Sequence, residues 1–126
     1  MKIIISNSSS VPIYEQIKKT IINQILTNEL KEDEMLPSIR TLAQDIRISV
    51  MTIKKAYDEL EKEGYIITKH GKGSFVAPKN TELVLENAKK DIEKYMNKII
   101  DISNRFDIEK EEVLNLFKFL YEGTDE

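Results

Sequence analysis

The sequence predicts a mostly helical fold with a small β-wing, and three observations carry that prediction. Between Leu36 and Val76, two short amphipathic helical patterns are separated by a tight polar turn. Gly64 then ends the second pattern, ahead of two β-rich segments joined by a Gly-containing loop. After Pro78-Lys79-Asn80, helical periodicity resumes from about Thr81 and continues to Ile100 without Gly or Pro. The order describes an N-terminal winged helix-turn-helix over residues 1–79, followed by a two-helix C-terminal region over residues 80–126.

The bulk composition fits that frame. The chain has 126 residues, 40% of them hydrophobic and 33% charged, which suits one compact domain with an appendage. No apolar run approaches the length needed to span a bilayer, and MKIIISNSSS is too weakly basic and apolar for a secretory signal. The absence of cysteine excludes disulfides and thiolate metal sites and suits a reducing compartment, so a cytoplasmic location is expected. The net charge of −3 is unevenly spread. Residues 1–79 carry twelve Lys/Arg against ten Asp/Glu, for +2, while residues 80–126 carry seven against twelve, for −5. The acidic excess therefore lies in the C-terminal third, where it can face away from a polyanion.

Each element has a local reason. Ile3-Ile4-Ile5 predicts a short strand or an ordered arm, and SNSSS a polar loop. Pro12 suits a first helical turn. Ile13, Ile17, Ile21 and Ile25 then recur every fourth residue, so a helix with one apolar stripe is expected to near Asn28. LKEDEM is a charged connector ending at Pro37. Ser38 caps a second helix carrying Ile39, Leu42, Ala43 and Ile46, and Arg47-Ile48 forms the turn. Ser49 caps a third helix by accepting from the N–H of Met51 or Thr52, with Ile53, Ala56, Tyr57 and Leu60 inward. Tyr65–Thr68 and Ser74–Ala77 are the expected strands around Lys69-His70-Gly71-Lys72-Gly73. A last helix starts at Asp107 or Glu109, with Glu109, Glu111 and Glu112 at the positive end of its dipole.

A helix-turn-helix presents the N-terminal half of its second helix to the major groove. With the buried stripe removed, Ser49, Val50, Met51, Thr52, Lys54 and Lys55 remain there. Ser49 and Thr52 can bond a phosphate or a base edge, although Ser49 is also a helix cap. Val50 or Met51 can meet a thymine methyl, and Lys54 a guanine edge or a phosphate. Arg40 offers a bidentate fork. In the wing, His70, Gly71 and Lys72 are candidates, since glycine allows close backbone approach and Lys72 can pair with phosphate. His70 is the single histidine and has no ligand cluster around it, so no metal and no cofactor are expected.

These residues resemble the GntR family of bacterial transcriptional regulators. Its pattern, close to PIYEQI, LPSxRxLA, TxxKAYxxLExEG and GxGxFV, stands here as Pro12–Ile17, Leu36–Ala43, Thr52–Gly64 and Gly71–Val76. The likeness covers about residues 11–77. Lys55-Ala56-Tyr57 and the short C-terminal region suggest its short, YtrA-like branch. The resemblance implies a repressor whose DNA contacts fall on Arg40, Ser49 to Lys54 and His70-Gly71, with a small two-helix region for homodimerisation. Many relatives carry a polar or basic residue where Val50 and Met51 stand, which puts the operator sequence in question but not the fold.

The C-terminal stripe is expected to dimerise through Leu85, Ala88, Ile92, Tyr95, Met96, Ile99, Val113 and Phe117. One short partner helix covers only part of it, and each wet Leu or Ile forgoes roughly 1.5–3 kcal/mol. Packing back on the winged domain is the alternative. The expected partners are double-stranded DNA and a second copy. A small-molecule effector in a cleft by the C-terminal helices is left open, since no convergent polar cluster marks it. A winged-helix module that binds protein and not DNA is the second reading. An enzyme ranks last: no nucleophile–base constellation is apparent, and Gly71-x-Gly73 lacks the strand-to-helix setting of a phosphate loop.

Overall fold

The computed structural model describes residues 1–79 and 81–124. In chain order the elements are α1 (Ile13–Leu26), α2 (Ile39–Ile46), α3 (Val50–Lys62), β1 (Ile66–Lys69), β2 (Gly73–Val76), α4 (Glu82–Arg105) and α5 (Lys110–Thr124). They form two compact units, Met1–Asn87 and Ala88–Glu126. The division falls inside α4, later than the punctuation at residues 78–80, of which Asn80 lies outside the described residues. The first turn of α4 stays with the first unit for a packing reason. Val84 is buried, and the side chain of Leu83 lies 3.0 Å from where a Cβ on Gly64 would stand.

The first unit is built around α3. Ile53 and Leu60 of α3 meet Ile17 and Ile21 of α1 in the core, and all four are 0% exposed. Leu42 and Ala43 of α2 and Ile66 and Val76 of the sheet join the same core. Both predicted serine caps form. Ser38 Oγ accepts from the Thr41 N–H at 3.1 Å, and Ser49 Oγ from the Thr52 N–H at 3.2 Å. At the other end of α3, Gly64 at φ 88° lets its N–H reach Glu61 O at 3.1 Å and the Tyr65 N–H reach Leu60 O at 2.9 Å. That pair of bonds is the Schellman closure, and it engages Tyr65 before the strand begins. Hence β1 starts at Ile66, one residue later than expected, with Ile66 opposite Val76 and Lys69 opposite Gly73.

Two local expectations are corrected, and the choice between strand and ordered arm at residues 3–5 falls to the arm. Pro12 is the residue before α1, its carbonyl accepting from Glu15 and Gln16 at 3.1 Å each, and the helix stops at Leu26 because Asn28 turns to φ 65°. Residues 1–6 form an arm and no strand. Gln24 Nε2 donates to Lys2 O at 2.7 Å, Gln16 Nε2 to Ser6 O at 2.9 Å, and Ile3 enters the core. The connector is more than a charged link. Met35 bridges Phe75, the Asp33 and Leu36 N–H groups donate to Val76 O and Ser74 O at 2.9 and 2.8 Å, and the Val76 N–H donates to Glu34 O at 2.9 Å. β2 is thus bonded on both sides, which a bare two-stranded hairpin in water would lack.

Lys18 ties α1 to α3 by pairing with Glu59 at 3.2 Å and with Glu63. Burial alone would lower its pKa, but the hydrogen bonds and charges of Glu63 and Glu59 outweigh that and raise it above 10.5. Burial also raises the pKa of Tyr57, whose hydroxyl donates to Pro37 O at 2.8 Å, above the usual 10.0. Both groups are protonated in the folded state over a wider range than in the unfolded chain. Their stabilisation is therefore complete below those ordinary values and drains away as pH rises past them. Denaturant melts should show wild type losing stability above about pH 10 more steeply than Tyr57→Phe does. Parallel pH curves for the two proteins would contradict this.

In the second unit, α4 and α5 are joined by a tight turn. Asp107 stands at φ 53°, and the Ile108 N–H donates to Ser103 O at 2.9 Å. The last helix begins at Lys110, one residue after Glu109, with Glu111 and Glu112 in its first turn. An open groove of about 510 Å³ is lined by Met96, Ile99, Ile100, Val113, Leu114 and Phe117 among others.

Candidate nucleic-acid interface

The helix-turn-helix is α2–turn–α3. Inward-facing Ile53, Ala56, Tyr57 and Leu60 fix the rotation of α3. That rotation leaves Val50 and Met51 facing out at 49% and 76% exposure, with Lys54 and Lys55 exposed beside them. Arg40, in the first turn of α2, is exposed and makes no ion pair among the described residues.

Two polar candidates are already engaged. Ser49 Oγ accepts from the Thr52 N–H and lies 2.7 Å from Thr52 Oγ1, so both hydroxyls serve the cap. A hydroxyl that accepts can still donate, so the cap sets the pair's geometry without removing it from a phosphate oxygen. Lys54 Nζ pairs with Asp58 at 2.7 Å, and both side chains are more than half exposed. A pair in water at that exposure is worth about 1 kcal/mol at most, so Lys54 can exchange partners cheaply. Lys55 is turned differently, its Nζ 4.0 Å from the centroid of Tyr14 on α1.

In the wing, the Lys72 N–H donates to Lys69 O at 2.9 Å, closing a turn whose third residue is Gly71 at φ 76°. That φ favours glycine, and a Cβ on Gly71 would meet nothing within 4 Å. The tip is therefore open backbone flanked by exposed His70 and Lys72. Lys69 packs over Phe75 at 4.6 Å, bracing the two strands just below the tip. Sequence reasoning did not foresee Asp58 or Tyr14 as partners. The four-residue spacing of Lys54 and Asp58 was an available signal for the first, while nothing local could pair Lys55 with a residue on α1. Among the described residues, no group of three or more His, Cys, Asp or Glu is placed to hold a metal.

Residues 13–76 match the family model described as bacterial regulatory proteins, gntR family. The chain belongs to the gntR family. Its match runs from the start of α1 to the end of β2, so it takes in the helix-turn-helix and the wing together. This gntR-family chain is 36% identical to the HTH-type transcriptional repressor YtrA of Bacillus subtilis (strain 168) over 92 residues, which are 73% of this chain and 71% of that protein. Its fold is similar to that of a crystal structure described as a transcriptional antiterminator from Listeria monocytogenes EGD-e. The TM-score is 0.73 at 31% identity, over 96% of this chain and 90% of the other. The DNA-binding domain of AraR, solved in complex with operator ORX1, matches at TM-score 0.54 and 29% identity over 61% of this chain and 96% of that one. Like its family, the chain is a DNA-binding transcriptional regulator with a winged helix-turn-helix.

Dimerisation candidates sit mostly in the open. Leu85, Ile92, Tyr95, Met96, Ile99 and Phe117 are between 44% and 55% exposed, while Ala88 and Val113 are half-buried. Leu85 belongs to the first unit and the others to the second. Leu116 and Phe119, exposed at 59% and 73%, lie outside the expected stripe, because α5 is apolar around more than one face.

Proposed function

We propose that the chain is a homodimeric repressor that binds a palindromic operator, with α3 in the major groove and the wing tip at the minor groove. The observation that carries the proposal is the exposed start of α3 together with the open-backbone tip at Gly71, both within one compact unit. In this reading Arg40 and Lys54 meet guanine edges or phosphate, Val50 and Met51 meet thymine methyls, and Ser49, Thr52, His70, Gly71 and Lys72 hold the backbone. Repression is supported by the likeness to YtrA, and operator binding by the likeness to the AraR domain. It acts in the cytoplasm and catalyses no reaction. No helix among the described residues is long and apolar enough to cross a membrane.

Dimerisation is supported by the exposed apolar side chains of the second unit. Six of the nine residues from Val113 to Tyr121 are exposed large hydrophobics, which a second copy would cover. A two-fold dimer would set two copies of α3 toward half-sites one or more helical turns of roughly 34 Å apart. A small-molecule effector is no part of the proposal, and a thermal-shift screen of the full chain would reveal one.

Binding of the full chain to DNA from upstream of its own gene, titrated against salt, tests the reading. Salt-sensitive binding is expected, and a protein-only module would show none even at low salt. Arg40→Ala should cost about 1–3 kcal/mol on that DNA and relax discrimination against unrelated duplexes. Equal weakening on every duplex would make Arg40 a phosphate contact instead.

A further inference from the structure

Four non-glycine residues among those described hold positive φ: Asn28 at 65°, Asp33 at 68°, Asp107 at 53° and Arg47 at 55°. Three of them are Asn or Asp, whose short polar side chains tolerate the left-handed region. Arg47 is the exception. It caps the C-terminus of α2 at ψ 47°, with its N–H donating to Ala43 O, where Gly or Asn is the least strained residue. The reversal from α2 into α3 demands that backbone conformation, but it does not demand a cation.

The Arg47 side chain is exposed and makes no hydrogen bond or ion pair among the described residues. Two residues later Ser49 caps α3, so Arg47 stands at the entry to the reading helix. Val50 and Met51 bring no charge to that entry, and Lys54, one turn further along α3, is paired with Asp58 in the unbound chain. An uncommitted guanidinium is thus carried by a turn of fixed backbone next to the helix start that enters the groove, where the sugar–phosphate backbone passes. Arginine suits that position, since its planar fork bonds phosphate in two-point fashion.

We propose that Arg47 contacts a DNA phosphate at the edge of the groove read by α3, and that it occupies a left-handed position for that contact. The inference rests on the reading of the first unit as a DNA-binding domain. A phosphate contact is blind to sequence. It should strengthen binding alike on specific and unrelated duplexes and contribute about 0.9 per protomer, about 1.8 per dimer, to the slope of log K against log salt. A purely structural role, a cation at the negative end of the α2 dipole, predicts a loss of stability on its removal and no change in that slope.

The test compares full-chain wild type, Arg47→Asn and Arg47→Lys on DNA from upstream of the gene and on an unrelated duplex of equal length. Asn suits the backbone, so Arg47→Asn should melt no lower than wild type. It should bind both duplexes roughly ten- to a hundred-fold more weakly at about 0.1 M salt, with the slope reduced by about 1.8, since a dimer loses two such contacts. Arg47→Lys should restore most of the slope. Unchanged affinity and slope in Arg47→Asn would overturn the contact. So would a loss confined to the upstream duplex, or one that follows a lowered melting temperature. If wild type binds neither duplex, the DNA-binding reading itself fails, an outcome distinct from a silent Arg47.

Discussion

Phe117→Glu is expected to sediment as a monomer at concentrations where wild type is a dimer, and to bind upstream DNA at least about 10²-fold more weakly. Phe117 is 53% exposed in the single chain and lines the apolar groove of the second unit, so a carboxylate there stays hydrated until a second copy tries to cover it. Burying that charge without a partner costs several kcal/mol, more than one interface contact returns. The loss on DNA follows from linkage. Two domains joined as a dimer engage the second half-site at high effective concentration, and a monomer forfeits that gain. Circular dichroism melts should show the first unit still folded, because Phe117 belongs to the other unit. A variant that remains dimeric with wild-type DNA affinity would remove the second unit from the dimer interface.

Ile53→Ala should lower stability by about 2–5 kcal/mol, with a drop of at least about 8 °C in the melting temperature of the first unit. Ile53 is 0% exposed and lies among the core side chains of α1, α2 and α3, so truncation leaves a cavity at the joint that sets the rotation of the reading helix. Below the melting transition the exposed residues of α3 remain in place, and DNA affinity should change little. Denaturant titration followed by binding at low temperature separates the two effects. A loss of affinity in a fully folded protein would mean that core packing also tunes the angle of α3.

Features written in neighbouring residues were legible in the sequence. Ser38, Ser49 and Gly64 could be placed because capping and helix termination depend on residues within one turn. The core residues of α1, α2 and α3 could be placed because helical period fixes which side faces inward. The role of the connector could not, since LKEDEM has no β-alternation and its pairing with β2 depends on residues some forty positions away. Lys18 with Glu59 and Glu63, and Lys55 over Tyr14, were hidden for the same reason: each joins α1 to α3 across the fold. At the interface, residue types could be named but not their prior commitments. Whether Lys54 or Arg47 is already engaged becomes visible only when Asp58 and the turn backbone are in view.

The bridge from Met35 to Phe75 separates what can be altered in the wing from what cannot. With residues 33–36 bonded to β2 on one flank and β1 on the other, the sheet is anchored to the segment between α1 and α2. Only the tip, His70 to Lys72, lies beyond both flanks. The side chains of His70 and Lys72 are therefore replaceable around a retained Gly71. Exchanging those two would change the chemistry of the tip without re-registering the sheet, whereas shortening the connector by one residue would drag the wing with it.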